Sequence, residues 1–162
     1  MAELRALASD LGLIEPQTLV QSGNLVFKAP GHSCQELEGQ LESELKKRMG
    51  LKIQFMVRTL EEWERIIASN PFGREAENDP SRLLVIALKK EPETEIVRAV
   101  RAEMVGPEQF VAVGRELYVV FPDGIGNSRI GKTPGWNKLA STGTGRNWNT
   151  VLKLAALARA IA

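Results

Sequence analysis

FVAVGRELYVVF, residues 110–121, decides the fold. Two apolar runs, FVAV (110–113) and ELYVVF (116–121), flank Gly114-Arg115. A two-residue, glycine-containing link between such runs is a β-hairpin signal, because glycine supplies the positive φ the turn needs. Working upstream, Ile96, Val97, Val100 and Met104 set a helix over residues 93–104. Before it, LLVIAL (83–88) is a continuous apolar run, the pattern of a strand covered on both faces. Working downstream, a Gly- and polar-rich loop leads to a final helix from Trp148 to the C-terminus. Strand, helix, hairpin, helix is most of a split βαββαβ unit.

The first half reads in the same way. Leu4, Leu7 and Leu11 share one helix face, and Gly12 stops that helix. QTLVQ (17–21) and NLVFK (24–28) are strands around a Ser22-Gly23 turn. Ser33 and Glu36 form a capping box for a helix whose stripe is Leu37, Leu41, Leu45 and Met49, with Gly50 as its end. LKIQFMV (51–57) then reads as a strand. Thr59 and Glu62 cap a further helix through Trp63, Ile66 and Ile67, which Asn70-Pro71-Phe72-Gly73 stops. Residues 73–82 read as a polar loop. The predicted fold class is α+β, two ferredoxin-like halves over residues 1–72 and 73–162, ending in a C-terminal helix.

Composition narrows the functional classes. Hydrophobic residues make up 43% of the 162 and charged ones 25%, a balance that can bury a core in a soluble chain. No apolar run approaches the ~20 residues of a membrane span, and the acidic N-terminus is no secretory signal. One cysteine and one histidine exclude an internal disulfide and the common zinc arrangements. The expectation is a cytoplasmic protein with no metal, no cofactor and no membrane partner. Charge is uneven: residues 124–162 carry Arg129, Lys132, Lys138, Arg146, Lys153 and Arg159 and no acid. Such a stretch attracts anions.

Within it, GNSRIGKT (126–133) fits the phosphate-binding pattern G-x-x-x-x-G-K-[ST]. That chemistry needs a helix beginning at the Gly-Lys-Thr, with Lys132 on the phosphates and Thr133 on magnesium. Pro134-Gly135 follows instead, and no further strand is read in the residues after Thr133. The loop is therefore read as a basic, glycine-rich turn able to contact an anion rather than as a nucleotide triphosphatase. Arg146-Asn147-Trp148, where the last helix starts, gathers a cation, helix amides and an aromatic face; packing of Trp148 into the core is the competing reading. His32 and Cys34 lie two residues apart at a helix start, but nothing is placed to orient the histidine as a base. No catalytic residue is assigned.

TLVQSGNLVF (18–27) and TGTGRNWNTVLKL (142–154), with MAELRALASDLG at the start and LYVVFPDGIGNSRI (117–130) between, resemble the bacterial domain of unknown function 1697 family. The resemblance runs over essentially the whole chain and implies an α+β fold of ferredoxin-like halves, without an activity. Members of that family carry a strand before the first helix, ending in an Arg-Gly turn and a Gly-Gly pair. Here Met1 stands where that segment joins the helix. The resemblance thus implies a first half lacking its leading strand, and so distorted, less stable or completed by another chain as an oligomer.

The leading functional expectation is a non-catalytic binder of an anionic ligand, nucleic acid or nucleotide. Arg129, Lys132, Arg146, Asn147, Trp148 and Lys153 are its expected contacts, with Gln21, Ser22 and Asn24 of the first hairpin as a second patch. Two alternatives stand beside it: an enzyme on a small phosphorylated or carboxylated substrate held in a cleft between the halves, and a protein-interaction module.

Overall fold

In the computed structural model, which describes residues 1–19 and 23–162, the chain is an α+β protein with two small sheets and a C-terminal helix. Its contacts group into two compact units, Met1–Glu64 with Leu152–Ala162, and Arg65–Val151.

In the first unit, α1 (Ala2–Asp10) leads to an antiparallel pair, β1 (Ile14–Leu19) and β2 (Asn24–Lys28). The strand begins at Ile14 rather than at Gln17, and its register shifts between the two, with Glu15 at φ 51. That shift is a bulge, which lets a strand continue past a point its hydrophobic pattern does not mark. Helix α2 (Cys34–Met49) forms where its signals put it. Ser33 Oγ accepts the Glu36 amide at 3.2 Å, Glu36 accepts the Ser33 amide at 2.9 Å, and Gly50 closes the helix at φ 67. Leu7, Ala8 and Leu13 pack with Leu37, Leu41 and Leu45 as the buried core, and Leu25, Phe27, Phe55 and Val57 cover it only partly.

The expected strand at 51–57 is corrected. Residues 51–58 belong to no ladder. A strand forms only against a neighbouring strand, and none lies beside these residues among the described residues. Two carboxylates of α2 serve in its place: Glu42 accepts the Phe55 amide and Glu38 the Val57 amide, both at 2.8 Å. Four helical residues rise about 6 Å and two extended residues about 6.6 Å, so the spacings match.

Helix α3 (Leu60–Ala68) opens with the Thr59–Glu62 box, Glu62 accepting the Thr59 amide at 2.8 Å. The stretch expected to be a polar loop forms a short helix, α4 (Gly73–Asn78), without buried residues. Its Glu and Ala are helix formers that outweigh the flanking turn residues.

The second unit holds β3 (Leu83–Ala87), α5 (Thr94–Ala102), β4 (Gln109–Val113), β5 (Glu116–Val120), α6 (Trp136–Ala140) and β6 (Thr144–Asn147), followed by the start of α7 (Trp148–Ile161). The sheet order is β4-β5-β3-β6, all antiparallel. Strand β6 corrects the expectation that none follows Thr133; TGRN has no apolar alternation to announce it. One sheet face presents Ile86, Phe110, Leu117 and Val119 to Val97 and Val100 of α5 and to Trp136 and Leu139 of α6. On the other face Tyr118 is fully buried, and its hydroxyl donates to the Ile66 carbonyl at 2.6 Å. Burial, with the nearby Glu116 charge, raises the Tyr118 pKa and keeps the phenol a donor.

Candidate functional site

The GNSRIGKT segment leaves β5 through two 3-10 turns, Ile125–Asn127 and Ile130–Lys132. Arg129, Gly131 and Lys132 are exposed. Thr133 is 3% exposed, and its hydroxyl accepts the Val105 amide at 3.1 Å, so it is part of the packing rather than aimed at a ligand. Gly135 then takes φ 80, with a Val100 methyl 3.1 Å from where a Cβ would stand. A side chain there meets both strain and contact, so glycine alone suits the turn. Helix α6 has five residues, and Trp136 packs edge-on against Phe110 at 5.3 Å. The chain after Lys132 thus dives into the core instead of extending a phosphate-facing helix.

An anion already sits in the loop, and it belongs to the protein. Glu108, one residue before β4, is 6% exposed. Its Oε1 accepts the Arg129 amide at 3.2 Å, and the Ser128 hydroxyl and its own amide add hydrogen bonds. Ser128 in turn accepts the Ile130 amide at 3.1 Å. Burial works to raise the Glu108 pKa, but these hydrogen bonds and the Arg129 charge outweigh it and hold the carboxyl below its ordinary value. Oε2 is buried with no hydrogen-bond partner among the described residues. It lies against Gly106, where a Cβ would stand 2.1 Å away. Sequence reasoning missed Glu108, since one acid in Gly-Pro-Glu resembles a turn residue; only the fold brings it to the loop.

The other expected contacts are distributed. Arg146 lies on edge strand β6, opposite Val85. It is half-buried and donates to the Thr144 hydroxyl at 2.6 Å and the Gly145 carbonyl at 2.7 Å. Burial lowers its pKa, yet a guanidinium stays charged. Asn147 caps α7, accepting the Asn149 amide at 2.9 Å while donating to the Ser81 carbonyl at 2.9 Å. Trp148 is 5% exposed, so its ring is packed in the protein. Gly143 and Gly145 let β3 side chains lie over β6: a Cβ at Gly143 would stand 2.5 Å from Ile86 and one at Gly145 3.1 Å from Leu84. The TGTG wording is thus explained by packing.

Lys153 is exposed on α7, in the first unit, and neither it nor Lys132 pairs with an acid among the described residues. Gln21 and Ser22 lie outside the described residues. Asn24 is buried and donates to the Leu19 carbonyl at 2.9 Å across the hairpin. Cys34 meets Glu62 at 3.8 Å, while His32 is exposed. Among the described residues no group of His, Cys, Asp or Glu is arranged to hold a metal ion, and no helix is long and apolar enough to cross a membrane.

With this geometry in place, an α+β protein built around an internally occupied loop, comparisons with known proteins give the class. Residues 1–118 match the model of DUF1697, described as a protein of unknown function, and the chain belongs to that family. Among solved structures it is similar to a conserved bacterial protein, SP0830, from Streptococcus pneumoniae. The TM-score is 0.75 at 20% identity, covering 98% of this chain and 88% of that one. This likeness shows the fold. No curated protein matches.

Proposed function

We propose that this protein is a non-catalytic, cytosolic binder of a phosphate-bearing anion, nucleic acid or nucleotide, and that the loop of residues 124–133 is its main contact. The observation that carries the reading is the exposed pair Arg129 and Lys132 on a glycine-rich turn, within a stretch that has no acid from 124 to 162. Lys132 has no ion-pair partner among the described residues, so its charge is available. Cations of this kind bind phosphates by releasing counterions, which makes binding salt-dependent. The test is retention of a single-stranded oligonucleotide on the protein as salt rises. Retention should fall steeply with salt and drop in Arg129→Ala/Lys132→Ala; retention indifferent to both overturns the reading.

The strand order β4-β5-β3-β6 supports assigning the second unit to the ferredoxin-like split βαββαβ class. The first unit has a two-stranded sheet, β1-β2, among the described residues. A specific observation favours strand addition by another chain: among the described residues β2 pairs on one edge only, and residues 51–58 pair on neither. Leu51 and Ile53 are 43% and 50% exposed there, and open edges beside apolar surface template strand addition. Light scattering after size exclusion decides this: a mass above 17.9 kDa supports it, and a monomer at high concentration rejects it.

A further inference from the structure

We infer that the loop of residues 124–133 is an anion seat held shut by Glu108, whose carboxylate an incoming phosphate group must displace. This deepens the proposed function and rests on it for the ligand's chemistry. A carboxylate is drawn out of water only where something compensates it. Here the compensation is the donor set an external anion would use: the Ser128 hydroxyl, the Arg129 amide and the Glu108 amide. The compensation is incomplete, because Oε2 has no partner among the described residues although it is buried. Buried polar oxygens are nearly always satisfied, so this occupant fits its seat poorly. A phosphate brings more oxygens to the same donors and meets the exposed Arg129 and Lys132 side chains from the solvent side.

Gly106 makes the plug possible. Any Cβ at that position would lie 2.1 Å from Oε2, inside contact distance. The obstructed atom is the tip of a flexible side chain, so an added methyl expels the carboxylate rather than breaking the backbone. Two independent changes therefore open the seat: Glu108→Ala removes the plug, and Gly106→Ala pushes it out. When a binding-competent state is a small fraction of the population, the apparent affinity falls by that fraction. Opening should then strengthen binding by at least about tenfold.

The experiment measures inorganic phosphate binding by calorimetry to the full chain and to both variants, with circular dichroism confirming that each is folded. Tighter phosphate binding by every folded variant than by the wild type supports the plug. Unchanged or weaker binding by a folded variant overturns it, and should Glu108→Ala not fold, Gly106→Ala alone decides. Two further arms, a nucleoside triphosphate and a single-stranded oligonucleotide, separate a free nucleotide from a nucleic-acid backbone as the phosphate's source. The plug and the proposed function fail separately. A gain in phosphate binding without salt-sensitive oligonucleotide retention rejects nucleic acid and keeps the plug; retention without a gain does the reverse.

Discussion

At Gly143 the backbone of the strand approach runs so close to β3 that a methyl would stand 2.5 Å from Ile86 and 2.8 Å from Leu88. Both are methyls held in the packed core, and the Ala87 carbonyl oxygen stands 3.1 Å away. Gly143→Ala should therefore destabilise the protein by about 1–3 kcal/mol, the usual cost of overpacking, read as a lower midpoint in urea. A second residue-scale prediction concerns acid. The Glu108 pKa is lowered on folding, so its contribution is complete above the ordinary glutamate range near ~4.3. It is lost as pH falls through the lower folded value. Between about pH 5 and pH 2, Glu108→Gln should lose less stability than the wild type, measured by urea denaturation at each pH. Equal losses in both proteins reject a lowered pKa.

At the scale of elements, what could be read in advance was whatever has a local cause. The capping boxes at Ser33 and Thr59 are four-residue chemistry, and both form as spelled. The 110–121 hairpin followed from a turn between two apolar runs. The errors lie where the cause is remote. LKIQFMV carries strand residues, but a strand exists only with a neighbour, and pattern cannot report whether the neighbour is present. Strand β6 is the reverse case, one glycine and three polar residues made a strand by β3 beside them. Glu108 was illegible for the same reason: its loop lies 21 residues downstream. The clamp on residues 51–58 gives the element-scale prediction. Glu38→Ala should cost about 1–3 kcal/mol by leaving the Val57 amide without its acceptor. Hydrogen exchange at that amide should accelerate; unchanged exchange there refutes the clamp.

For the whole molecule, the two units differ in their sheets, four strands in the second and two in the first among the described residues. Leu117, Val119 and Val100 in the second are at most 2% exposed. In the first, Leu7, Ala8 and Leu41 are buried as deeply, but Leu25, Phe27, Phe55 and Val57 are only partly covered, and two strands are marginal for independent stability. Native-state hydrogen exchange should find β3 and β5 amides opening only near the global limit, while β1 and β2 open at lower free energy. Equal protection in both sheets would contradict this ranking.

The contact between Glu108 and Gly106 reaches beyond this one chain into the history of its sequence. Each of the two positions constrains the other: the carboxylate needs the missing side chain, and the bare glycine has its reason in the carboxylate. Along a lineage the pair should change together. Wherever position 108 loses its acid, position 106 is released to accept alanine or serine, and aligned relatives can be read for that correlated drift without making a single protein.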